Sequence, residues 1–187
     1  MTRPVEQRGK RPPQPLERAA EPQTGAASAC DNLRADHRRM EAYLDRVLAA
    51  FEHLTVERIP EVRSIVKGIQ DLSAIHFEKE EKLLYPRLRP VQPQLLVQMD
   101  EQHGVVREVE IHVAAMLADS PPSPDSRWLN ELRRLGIEFH DHIQHHIVDE
   151  EDHLFRVAED CLTGEEQATL AAEMIAVEEH MTRTGGA

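Results

Sequence analysis

Two ten-residue segments, HFEKEEKLLY at 76–85 and HIVDEEDHLF at 146–155, each place a histidine four residues before the first of two adjacent glutamates. Both also carry a leucine eight residues after the histidine and an aromatic residue nine after it. Residues four apart share one face of a helix, a turn apart. His76 therefore lies with Glu80, and His146 with Glu150. An imidazole and a carboxylate side by side on a helix are metal-ligand chemistry. Composition alone predicts about 0.2 chance occurrences of HxxxEE in a chain like this one. Two occur.

The rest of the chain completes the pattern. LRADH at 33–37 and MDEQH at 99–103 each set an apolar residue four before a histidine. The order is then His37, His76 with Glu80, His103, and His146 with Glu150, the second half repeating the first at an offset of 66 to 70 residues. Such a repeat predicts a pseudo-two-fold axis with ligands converging on it. Burying four imidazoles and two carboxylates is costly unless something pairs with them, and an unpartnered buried glutamate takes up a proton. Two divalent ions remove that cost, each carboxylate reaching both ions and each imidazole binding one. Imidazole and carboxylate without thiolate suit Fe, Mn or Zn rather than Cu(I) or an iron–sulfur cluster. A structural zinc site would normally include cysteine, so iron comes first.

Apolar residues spaced by 3, 4 and 7 predict four long helices that carry these groups. The first runs from about Asp31 to Leu54, with His37 on the stripe formed by Leu33, Met40, Leu44, Val47, Leu48 and Phe51. The second starts near Pro60 and ends near Arg87, where Pro86 stops or kinks it. The third spans about Gln94 to Ala118, and the fourth about Arg127 to Ala158 behind Ser126 as candidate N-cap. Thr163 and Glu166 have capping-box spacing and open a short fifth helix with Leu170, Met174 and Val177 on its apolar face. The expected architecture is all-α: a four-helix bundle over 28–160, a short C-terminal helix over 161–187 that frays at TRTGGA, and a disordered Pro/Arg-rich tail over 1–27.

Composition narrows the function. A net charge of −12 argues against nucleic acid as a main partner, because phosphate binding needs a basic footprint. The N-terminus lacks the apolar run of a signal peptide, and no stretch is apolar enough to span a membrane. Two cysteines, Cys30 and Cys161, make neither a CxxC motif nor a disulfide framework, so a cytoplasmic location is expected. No nucleotide or flavin motif is visible, so any electrons must come from outside, and the acidic surface suits a redox protein partner.

The six positions, with HFEKEEKLLYP and HIVDEEDHLF around two of the pairs, resemble the hemerythrin-like, or HHE cation-binding, family over about residues 30–160. The resemblance implies an up-down-up-down bundle around two non-haem irons. It makes His37, His76, His103 and His146 terminal ligands and Glu80 and Glu150 bridges, with an oxo or hydroxo bridge and room for a small exogenous ligand. Two positions depart from the oxygen-carrying members. Those have a second histidine one turn after the third-helix histidine, where this chain has Arg107, and their last bridging carboxylate is spaced at +5 rather than +4. The pattern is closer to the bacterial di-iron domain of iron–sulfur repair proteins.

Several neighbours are weighed as additions. Glu41 and His142 are candidate extra ligands, and Glu110 a candidate hydrogen-bond partner of a ligand histidine. Tyr43 and Tyr85 are read first as core packing, with a place near the irons, tuning their redox chemistry, as the alternative, and His53, His112, His140, His145, His153 and His180 as surface. The function expected is a di-iron protein that binds or senses O2 or NO in a stress-response role, its partner a small diatomic ligand or peroxide. An oxidoreductase acting on peroxide or NO, and an iron donor for iron–sulfur repair, stay open as alternatives.

Overall fold

A computed structural model describes residues 28–185; the expected disordered tail and the last two residues lie outside them. Among the described residues all regular structure is helical: α1 (Ala29–Glu52), α2 (Ile59–Lys79), α3 (Tyr85–Leu88), α4 (Pro93–Ala118), α5 (Ser126–Asp149), α6 (Phe155–Cys161) and α7 (Gly164–Gly185). Two π-helical turns, Glu80–Leu84 and Glu150–Leu154, join α2 to α3 and α5 to α6, and a 3-10 turn, Val56–Arg58, precedes α2. The second and fourth predicted helices thus each contain a five-residue segment that periodicity did not announce.

Capping chemistry sets the helix ends. Ser28 and Asp31 form a capping box, the Ser28 hydroxyl accepting from Asp31 N–H (3.0 Å) and the Asp31 carboxylate from Ser28 N–H (3.3 Å), so α1 starts two residues before the expected point. Asp125, not Ser126, caps α5. Its Oδ1 accepts from Trp128 N–H (2.8 Å), and its charge also suits the positive end of the helix dipole. The Thr163–Glu166 box forms as expected. The helix behind it is not short but 22 residues long. Leu170, Ala171 and Met174 bury its first half, and Glu178 carries the contact further by bonding Lys79 and Arg39.

α1 packs against α2 and α5, and α4 packs against α5 and α2; α7 lies against α1 and α2. Where these helices meet there are two separate apolar clusters. One holds Met40, Leu44, Phe51, Ile69, Phe77, Val106, Phe139 and Ile143. The other holds Leu33, Leu84, Leu88, Leu96, Met99, Leu154, Phe155 and Met174. Along α1 and α4, and along α2 and α5 with the π turns that follow them, the chain passes from one cluster to the other past His37, His76, His103 or His146. Each large apolar side chain so buried contributes roughly 1.5–3 kcal/mol, and the polar layer between the clusters contributes nothing of that kind.

Gly136 on α5 is required by a close approach: a Cβ there would collide with the Phe51 ring of α1. Gly104 on α4 is exposed, with no atom near its missing Cβ. Gly136→Ala is expected to destabilise the chain by about 1–3 kcal/mol through overpacking. Gly104→Ala should stabilise it by about 0.5–1 kcal/mol, since glycine in a helix interior costs that much. Chemical denaturation of both variants checks the pair, and a Gly136→Ala chain as stable as the parent would contradict the packing.

Candidate metal centre

All six predicted site residues, His37, His76, Glu80, His103, His146 and Glu150, are fully buried and lie together. The four Nε2 atoms face inward in two pairs. His37 and His76 stand 3.3 Å apart, and His103 and His146 stand 3.0 Å apart. The carboxylates lie between the pairs. Glu150 Oε2 is 3.0 Å from His37 Nε2 and 3.3 Å from His76 Nε2, while its Oε1 is 3.1 Å from His146 Nε2. Glu80 Oε2 is 3.4 Å from His76 Nε2 and 3.3 Å from His103 Nε2. Facing ligand atoms of His76, Glu80, His146 and Glu150 all fall within 4.8 Å of one another.

Each ring is held from behind, through residues that sequence reasoning missed. His37 Nδ1–H donates to Glu151 Oε1 (3.0 Å), His103 Nδ1–H to Glu81 Oε1 (2.7 Å), and His146 Nδ1–H to Gln102 Oε1 (3.0 Å). Carboxylate and amide oxygens only accept, so each proton sits on Nδ1 and each Nε2 turns a lone pair inward. Asp149 accepts from Gln102 Nε2 (2.6 Å) and so fixes which end of that amide faces His146. Behind His76 stands Asp36, its Oδ2 3.7 Å from Nδ1, which is beyond hydrogen-bond length. The signal was in the repeat itself. The second glutamate of each HxxxEE reaches the histidine of another helix, and the residue before each lone histidine, Asp36 or Gln102, stands behind the ring of an HxxxE histidine.

The π turns explain Tyr85. Each inserts one residue into the turn, so the buried face after it moves from Leu83 and Arg87 to Leu84, Tyr85 and Leu88. Of the two readings of Tyr85, core packing and a place near the metal site, the geometry favours the second: its hydroxyl lies 3.2 Å from His103 Nε2, 3.3 Å from Glu80 Oε2 and 3.4 Å from Glu150 Oε1. Its ring stacks on His103, as Phe155 at the equivalent position of the repeat stacks on His37.

The other candidates stand apart. Glu41 is exposed. Glu110 is half-buried and its carboxyl is pushed up by burial, but Glu81, not Glu110, bonds His103 Nδ1. His142 is half-buried and lines a surface groove with Gln98, Glu101, Gln102, Val105 and His145. His53, His112, His145, His153 and His180 are exposed, and His140 pairs with Asp141. Tyr43 packs against Gly68. Cys161 is exposed and free; Cys30 is buried, which pushes its thiol up to about 11 and keeps it unreactive.

The donor set fits cations. Paired Nε2 lone pairs at 3.0 and 3.3 Å repel unless a positive charge lies between them, and buried Glu80 Oε1 has no hydrogen-bond partner among the described residues. Without metal, protons take that role. Burial works to lower the His76 imidazole, yet Glu80, Asp36 and Glu150 push it up to about 10. Burial works to raise Glu150, yet His146, His37 and His76 hold it well below the usual carboxylate range. The His103 bond, against burial and with help from Arg107, brings Glu81 down to about 2. Burial, then Glu80 and Glu150, raise the Tyr85 phenol well above its ordinary value, so it keeps its proton. Glu81 contributes stability that is complete above its unfolded value of 4.5 and lost as pH falls toward 2, and the depressed Glu150 acts in the same direction. The raised His76 contributes stability that is complete below 6.5 and lost as pH rises to about 10. The thermal midpoint of the metal-free chain should therefore peak between pH 4.5 and 6.5. A midpoint still rising above pH 7 contradicts this balance.

No helix among the described residues is long and apolar enough to cross a membrane. Comparison with curated proteins and with solved structures gives no match. The family model described as the hemerythrin HHE cation binding domain matches residues 28–158, a span that takes in all six converging side chains. The chain therefore belongs to the hemerythrin HHE cation-binding family.

Proposed function

We propose that the chain folds as an up-down-up-down four-helix bundle that holds two non-haem iron ions, and that it binds or senses O2 or NO in a cytoplasmic stress response. His37 and His76 would hold one ion, His103 and His146 the other, and the carboxylates of Glu80 and Glu150 would span both. The observation that carries this reading is the split of Glu150, one oxygen toward each histidine pair. The mutual packing of α1, α2, α4 and α5 and the all-imidazole, all-carboxylate donor set support it. A pair of iron ions supplies reversible one-electron chemistry and open positions for a diatomic ligand. The protein's own residues keep water out through the two apolar clusters and fix the ring tautomers through Glu81, Glu151 and Gln102.

Tyr85 favours a second reading, an oxidoreductase acting on peroxide or NO. Its protonated hydroxyl stands at the His103/His146 side of the site, where it can give a hydrogen bond or a proton to an oxygen atom of a small substrate.

Glu150→Ala should abolish the spectrum of the coupled centre while the chain stays helical; unchanged spectra would remove Glu150 as the spanning carboxylate. Stopped-flow mixing of iron-loaded protein with O2, NO or peroxide separates the two functions. Stoichiometric binding of O2 or NO without turnover supports the sensor. Catalytic loss of peroxide or NO, slowed at least ten-fold in Tyr85→Phe, supports the enzyme.

A further inference from the structure

Lys79 is a fully buried lysine that the metal site does not use. All three of its ammonium protons have acceptors: Asn32 Oδ1 at 3.0 Å, Asp36 Oδ2 at 2.8 Å and Glu178 Oε2 at 2.6 Å. Arg39 ties the same two carboxylates together, donating to Glu178 Oε1 (2.8 Å) and to Asp36. A continuous path therefore runs from α7 through Glu178, Lys79 and Asp36 to the back of the His76 ring.

That path ends at the least secured of the four histidines. His76 Nδ1 is buried with no hydrogen-bond partner among the described residues, whereas His37, His103 and His146 each donate from Nδ1 at 3.0 Å or less. Asp36 Oδ2 is nearer to Lys79 than to His76, so the ammonium and the imidazole compete for one oxygen. Glu178 draws on both cations that hold Asp36. Without that charge, Lys79 and Arg39 would keep the Asp36 carboxylate to themselves. The other half of the repeat has no such arrangement: at the positions of Asn32, Asp36 and Lys79 stand Gln98, Gln102 and Asp149, which bond among themselves and to His146.

We propose that Glu178 is a positioning residue for the His37/His76 half of the metal site, acting through Lys79 and Asp36 on His76, so that docking of α7 sets how tightly that half holds its ion. This rests on the two-ion reading given above. Losing a group that orients a ligand histidine weakens metal affinity by roughly ten- to a hundred-fold, and the weakening should fall on one ion only.

The test is an anaerobic titration of the metal-free full chain with Co(II), followed by visible absorption and by counting bound metal. Wild type should take up two ions. Glu178→Gln should keep one at wild-type affinity and bind the other at least about ten-fold more weakly. Asp36→Asn should weaken the same ion, and adding Glu178→Gln to it should cost nothing more, since the two act in series. Glu179→Gln, an exposed neighbour on α7 whose ion pair is with Arg183, should change nothing. Circular dichroism of each metal-free variant verifies that the helices remain. Two ions bound at unchanged affinity in Glu178→Gln would overturn the proposal. So would equal weakening of both ions, or additive losses in the double variant. A wild-type chain that binds no Co(II) overturns this proposal and the two-ion reading together.

Discussion

Four imidazole nitrogens and two carboxylates face one another in a layer with no solvent exposure. Such a layer is unstable unless positive charge sits among its lone pairs, and everything around it serves to aim those lone pairs inward. The two apolar clusters exist as two because this layer separates them. The residues behind the rings exist because an imidazole with a free Nδ1 could turn either nitrogen to the site. Without metal the balance is kept by protons, which is why His76 is pushed up to about 10 and Glu150 is held down.

The duplication in the chain extends to the supports. Glu81 and Glu151 cross to the histidine of another helix in the same way, and Tyr85 and Phe155 stack on equivalent rings. Where the halves differ, the difference is chemical. Phe155 offers no hydroxyl where Tyr85 does. Asp36 is paired with a lysine, whereas Gln102 is paired with an aspartate. α7 lies against α1 and α2, the side that carries His37 and His76. A site assembled from near-identical halves thereby has a phenol hydroxyl on one side and a buried, ion-paired lysine on the other.

Much of this was legible in the sequence. HxxxEE on an apolar stripe puts ligands on one helix face by spacing alone, and the histidine between Leu33 and Met40, or between Met99 and Val106, can only lie in the core. What could not be read depends on register and on partners far away in the chain. A π turn leaves no periodic signature, so spacing alone does not decide between core packing and a place at the site for Tyr85. Glu151 lies 114 positions from His37, and Glu178 lies 99 from Lys79. Nothing in local pattern links them, although the repeated second glutamate was a usable hint. The length of α7 was missed for the same reason, because its later turns are held by Glu178 rather than by an apolar stripe. Asp125 took the cap from Ser126 through a one-residue shift that loop composition does not resolve.

The central claim is a pair of ions spanned by carboxylates between two histidine pairs. Mössbauer spectroscopy of the chain reconstituted anaerobically with ⁵⁷Fe(II), then exposed to air, tests it most directly, together with iron counted per chain. Two irons per chain, with a diamagnetic ground state after oxidation from coupling between them, is the result this account predicts. One iron per chain, or two that behave as isolated paramagnets, would contradict it.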